Sequence, residues 1–263
     1  MRYSIVTVLC GFVLLAPVQG KAVTAATIDP EATRETGALF YNLRELAKSK
    51  LLFGHQDTTA YGVGWSAEEG RSDVKSVTGS YPAVYGWDIG CLGRERNLDG
   101  VEFSRQKKLI REAHERGGIN TLSWHMSNPV TGRGYLDRRG RANAVPNVIP
   151  GGSHHEELKR RLDLFVEFLG ELKDKEGRPI PIIFRPWHEN NQRRFWWAVR
   201  GDGQDFICST NQLSRLMRMF RNSRCPNSAW KPTCPQRFLM LVAVVINVPL
   251  SFTLRSSPLH VIS

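Results

Sequence analysis

Four short clusters of polar and aromatic residues carry the side chains best suited to chemistry. They are Gly54-His55-Gln56-Asp57, Gly86-Trp87-Asp88, Trp124-His125-Met126-Ser127-Asn128-Pro129 and Arg185-Pro186-Trp187-His188-Glu189-Asn190-Asn191. Each follows a short apolar run. Brought together, imidazoles, amides, carboxylates and indoles make a wet, aromatic-lined cleft. Such a cleft suits a sugar: aromatic rings stack on the apolar faces of pyranoses, His, Asn and Asp hydrogen-bond hydroxyls, and a carboxylic acid can protonate a leaving oxygen. The three histidines His55, His125 and His188 also admit a second reading, a metal-dependent barrel hydrolase, although no His-x-His pair is present. The pair His154-His155 reads as the start of a helix with a solvated surface role.

The elements that must position these clusters follow from periodicity. Ala38, Leu39, Leu43, Leu46 and Ala47 recur at helical spacing between Glu31 and Lys48. Leu51–Phe53 and Tyr81–Trp87 read as buried strands. Phe103, Leu109, Ile110 and Ala113 mark a helix over Val101–Arg116, stopped by Gly117-Gly118. Ile119–Trp124 is a third strand, and His154–Lys173 a helix with Leu158, Leu162, Phe165, Val166 and Leu169 on one face. Ile180–Phe184 is a fourth strand, closed by Arg185-Pro186. Strands alternating with helices predict a parallel sheet with helical crossovers, and an α/β barrel of the (β/α)8 TIM type leads. In such barrels function gathers where the strands end, which is where all four clusters lie.

The run Ile182-Ile183-Phe184-Arg185-Pro186-Trp187-His188-Glu189, followed by Phe195-Trp196-Trp197, resembles the fourth-strand signature of glycoside hydrolase family 26. Leu52-Phe53-Gly54-His55-Gln56-Asp57, Tyr85-Gly86-Trp87-Asp88 and Ser123-Trp124-His125 are similar to the family's first three strands, so the likeness covers about Gly37 to Ala198. It implies an endo-β-1,4-mannanase acting by retaining double displacement on mannan, galactomannan or glucomannan, without a cofactor or metal. It makes Glu189 the general acid/base and His188 and His125 sugar contacts, with Trp196 and Trp197 lining the cleft. Two alternatives stay open beside these roles: a salt bridge for Glu189 and core packing for the two tryptophans. His55 and Asp88 fit substrate contact or loop packing equally.

The sequence departs from the family at Gln192, Arg194 and Ala198, where glycine, a cleft tryptophan and glycine are usual. A larger departure concerns the second carboxylate. Retaining hydrolysis needs two carboxyl groups about 5 to 5.5 Å apart, and in the family the nucleophile is a glutamate on the seventh strand. No glutamate follows Glu189 in the 263 residues, and Asp202 and Asp205 lie too close to the fourth strand to occupy that place. A carbohydrate-binding protein derived from such an enzyme is therefore the alternative function.

The remaining features set bounds. A chain of 263 residues fits one barrel domain of about 250 residues. Arg2, an apolar run from Ile5 to Leu15 and small residues up to Gly20 read as a signal peptide over residues 1–20, giving a secreted protein, extracellular or periplasmic. That run is shorter than the about 20 residues of a membrane span, so no membrane partner is expected. A catalytic domain over 31–200 is followed at 204–263 by an atypical basic tail, which reads as divergent, disordered or translated out of frame. After Glu189 stand ten Lys or Arg residues against Asp202 and Asp205, so this segment holds eight of the eleven net positive charges and the body is nearly neutral. Nucleic acid is accordingly not an expected partner. Cys91, Cys208, Cys225 and Cys234 have no zinc-site spacing and specify no pairing. A monomer is expected.

Overall fold

A computed structural model describes residues 32–137, 141–189, 194–198 and 240–242. The proposed signal segment and nearly all of the basic tail lie outside them, as do Cys208, Cys225 and Cys234; Cys91 is exposed and free. Five strands form one parallel sheet in the order β1 (Gly54–Gln56), β4 (Val84–Asp88), β5 (Ile119–Ser123), β6 (Ile182–Arg185) and β7 (Met240–Val242). Neighbours in this sheet follow each other through the chain, as in the first part of a (β/α)8 barrel. Between β1 and β4 the chain makes a small antiparallel hairpin, β2 (Tyr61–Gly62) with β3 (Trp65–Ser66), and a short helix α2 (Asp73–Thr78).

The register sorts side chains between the two faces, because paired residues of parallel strands project the same way and successive residues alternate. Tyr85 stands level with Asn120 and Ile182, and Trp87 with Leu122 and Phe184. These project toward the helices. The Trp87 indole donates to Asn120 Oδ1 (2.8 Å), and the Asn120 amide donates to the Ile110 carbonyl (3.1 Å) of α3 (Phe103–Glu115). Phe184 stacks on Phe165 of α5 (His155–Gly170) at 4.3 Å between ring centroids. The opposite face carries Gly86, Asp88, Thr121, Ser123 and Arg185.

Helices α3 and α5 form where the periodicity places them. Phe103, Gln106, Leu109, Ile110 and Ala113 are the buried stripe of α3, and Leu158, Leu162, Phe165, Phe168 and Leu169 that of α5. The first helix, α1 (Arg34–Leu46), also forms, but its buried side chain is Thr36 and its leucines are only half-buried. Leu51–Phe53 is not a buried strand: Leu51 is 80% and Phe53 47% exposed. Pairing with β4 begins where the Phe53 carbonyl accepts from the Val84 amide (3.1 Å), so the strand starts at Gly54, opposite Val84. Leu51 and Leu52 precede that start. Helix α4 (Arg141–Val148), which contains Pro146, had no sequence signal.

Gly117, at φ 80°, terminates α3 and lets the chain turn into β5. Gly118 serves a different need. A Cβ there would lie 2.4 Å from Tyr85 Cε2 and 2.8 Å from the Ala113 carbonyl oxygen. Gly118→Ala is therefore expected to cost about 1–3 kcal/mol by overpacking, read as a lower urea midpoint with an unchanged slope; a midpoint equal to that of the unaltered chain would refute the close approach.

Candidate active site

The loops leaving β4, β5 and β6 supply one connected group. Asp88, the last residue of β4, is 3% exposed and its carboxylate is fully engaged. Its Oδ1 accepts from the Gly90 amide (2.7 Å) and, at longer range, from the His125 amide (3.4 Å). Its Oδ2 faces Ser123 Oγ (2.8 Å) and His125 Nδ1 (2.8 Å). His125 Nε2 in turn meets His188 Nε2 at 3.2 Å, the two rings standing edge-on with centroids 4.5 Å apart. A chain of contacts thus runs from β4 through the β5 loop to the β6 loop and ends beside Glu189.

The turn after β6 is shaped for presentation. Trp187 and Glu189 both hold positive φ, 55° and 53°, on either side of His188. Non-glycine residues adopt this region at a cost of about 1–3 kcal/mol each, and such strain gathers at functional sites. The turn buries Trp187, half-buries His188 and leaves Glu189 exposed. Burial, and secondarily His125, pushes the His188 imidazole down to about 4, so the ring is neutral at ordinary pH. Arg185 donates from Nε to Thr121 Oγ1 (2.9 Å) and lies in the field of Asp88 and Glu189.

Aromatic residues wall this group. The His125 ring packs edge-on against Tyr135 (4.7 Å) and Phe195 (5.4 Å), and Phe195 stacks on Trp197 (4.5 Å). Trp196 and Trp197 are 1% and 2% exposed. Their indole N–H groups are committed to backbone carbonyls: Trp196 to Met126 (2.8 Å) and Trp197 to His188 (2.9 Å). Neither ring offers a free face to a sugar, so in place of the expected cleft lining they brace the β5 and β6 loops from beneath.

His55 stands apart. It pairs in register with Tyr85, on the helix-facing side of the sheet, whereas Gln56, level with Gly86, faces inward. His55 is exposed and lies in the field of Asp73, on α2. The expected substrate contact at His55 is thus replaced by a position on the outer face. With it goes the three-histidine metal reading, since one face cannot gather all three; among the described residues no group of three His, Cys, Asp or Glu is placed to hold a metal ion. His154 and His155 start α5, bonded to Ser153 and to the Val148 carbonyl.

Sequence reasoning gave no role to three members of this region. Asp57 is wholly buried with φ 49°; its Oδ2 accepts from Gln56 Nε2 (3.2 Å) and, weakly, from Tyr61 OH (3.4 Å), while its Oδ1 has no partner among the described residues. Burial first, and the charge of Asp99 second, push its carboxyl up to about 7. Arg185 sat within the fourth-strand motif without a role. Tyr135 carried no signal, because its contact with His125 depends on how a loop folds back.

A parallel sheet whose strand ends join a carboxylate, two imidazoles and an outward glutamate is an α/β-barrel arrangement with its polar groups gathered at the end where such barrels carry function. The glycosyl hydrolase family 26 model matches residues 28–225, and the chain belongs to that family. The match continues past Gly203, into the stretch read as an atypical tail. A GH26 β-mannanase structure from Bacteroides ovatus superposes with a TM-score of 0.67 at 43% identity, over 73% of this chain and 54% of the other. The structure of an endo-β-1,4-mannanase from Cellulomonas fimi gives 0.62 at 36% identity, over 73% of this chain and 46% of the other. A mannan endo-1,4-β-mannosidase of Bifidobacterium adolescentis is 39% identical over 177 residues, which is 65% of this chain and 17% of that protein. One of Bacillus subtilis is 26% identical over 205 residues, 76% of this chain and 55% of that protein. The chain thus spans about half the length of the solved relatives, and its sheet is part of a (β/α)8 barrel.

Proposed function

We propose that the protein is an exported glycoside hydrolase of the kind that attacks internal β-1,4-mannosidic bonds by retaining double displacement, with Glu189 as the acid/base and the nucleophile not among these 263 residues. The observation that carries this is the position of Glu189: exposed on a strained turn at the end of β6, next in the chain to a His188 that abuts His125. Glu189 is exposed at the end of β6, whereas the two imidazoles are half-buried and Asp88 is buried. Glu189 would protonate the leaving oxygen and then, as the base, activate water. His188 and His125 would orient the sugar at the bond being broken. Trp196 and Trp197 hold the loops that carry them.

The sequence after Glu189 limits what these 263 residues do alone, because no glutamate is there to attack the anomeric carbon. The same observation favours, as the second reading, a protein that binds mannan without cleaving it. Affinity electrophoresis tests the substrate class. The chain should be retarded in a gel containing galactomannan and not in one containing starch, and Glu189→Gln, which keeps the shape and deletes the acid, should migrate like the unaltered chain. Equal mobility in both gels would contradict the assignment to mannan.

A further inference from the structure

We propose that Asp88 is a positioning residue that fixes the tautomers of both imidazoles, and through them the polarity of the nitrogen that His188 turns away from His125. The consequence for catalysis rests on Glu189 being the acid; the tautomers themselves do not. An ionised carboxylate has no proton to give, so the contact between Asp88 Oδ2 and His125 Nδ1 at 2.8 Å requires the proton on Nδ1. In the neutral ring Nε2 is then a bare acceptor. At 3.2 Å from it, His188 Nε2 must be the donor, which leaves His188 Nδ1 as a lone pair. That nitrogen is buried and has no partner among the described residues. One carboxylate on β4 thereby decides, two hydrogen bonds away, whether the buried Nδ1 of the imidazole beside Glu189 is an acceptor or a donor.

Replacing Asp88 by Asn reverses the whole chain. The Oδ1 position is held by the backbone N–H groups of Gly90 and His125, both of which can only donate. The amide oxygen must therefore stay there, and the amide nitrogen takes the place of Oδ2. It now donates to His125 Nδ1, moving that ring's proton to Nε2. His188 Nε2 must then accept, and its proton moves to Nδ1. In a serine-protease triad the same exchange leaves geometry intact and lowers turnover by about four orders of magnitude through the wrong tautomer.

The test is a long-range proton–nitrogen NMR correlation of the imidazoles in the full 263-residue chain, recorded near pH 8, above the usual imidazole range of about 6.5. The histidine signals are assigned by the loss of each in His125→Gln and His188→Gln. The unaltered chain should show His125 protonated on Nδ1 and His188 on Nε2, and Asp88→Asn should show both inverted. The opposite assignment in the unaltered chain, or a doubly protonated His125, would overturn the proposal without any variant having to fold. Tautomers unchanged in a folded Asp88→Asn would overturn it as well. Galactomannan affinity of the unaltered chain, measured in parallel, tests the functional reading separately. If the unaltered chain has the stated tautomers and no galactomannan affinity, the functional reading fails and the positioning role stands.

Discussion

Near pH 8, Asp57→Asn is expected to stabilise the folded chain by about 3 kcal/mol, making it one of the few substitutions here that strengthen the protein. The Asp57 carboxyl is wholly buried, carries an oxygen with no partner among the described residues and lies in the field of Asp99 and Asp88. Its folded value, about 7, is above the 3.8 of the free side chain. The folded state therefore binds the proton more tightly than the unfolded one. The stability this contributes is fully present below about pH 4 and is lost as pH rises through about 7. Asparagine keeps the acceptor for Gln56 and Tyr61 and removes the charge that alkaline pH would force into the interior.

His188 acts in the opposite sense. Its folded value is lowered from 6.5 to about 4, so its contribution is present above 6.5 and is lost as pH falls through about 4. Between these limits the two slopes oppose each other. The unaltered chain should change little in stability across that range, whereas Asp57→Asn should lose stability steadily toward acid. Urea unfolding near pH 8, 6 and 4.5 checks this; parallel stability curves for the two chains would show that Asp57 ionises freely in the folded state.

Phe184→Ala is expected to be among the more damaging single changes in the described core, at about 3–5 kcal/mol. The ring is fully buried, stacks on Phe165 at 4.3 Å and lies 6.4 Å from Trp124, so it joins α5, β5 and β6 at one point. The next residue along β6 is Arg185, and the turn bearing His188 and Glu189 follows. Truncation should therefore loosen the acid's mount as well as lower the urea midpoint. Phe184→Leu, which refills much of the space, should recover more than half of the loss. A cost for alanine under about 1 kcal/mol would mean that the site collapses onto the cavity.

What was legible in the sequence follows from how local each signal is. Helices α3 and α5 announce themselves by buried residues three and four apart, and β4, β5 and β6 by short apolar runs ending in the polar clusters. The hairpin β2–β3 was hidden because a distant residue holds it: Asp73 accepts from the Val63 amide and the Trp65 indole. In the site, Asp88, His125 and His188 were named and prove to be in contact. Their order in the chain of hydrogen bonds was not readable, since Asp88 and His125 meet across two strands 37 residues apart. His55 shows the limit most clearly. A strand's faces alternate residue by residue, so its side of the sheet depends on a register that only β4 supplies.

The measurement that bears most directly on the account is reducing-sugar release from galactomannan by the 263-residue chain, with Glu189→Gln alongside. A retaining glycosidase that lacks its nucleophile has no covalent step. No release above that of the Glu189→Gln variant is expected from a chain that still binds the polysaccharide. Release that depends on Glu189 would contradict it, because a second carboxylate among these residues would then be completing the reaction.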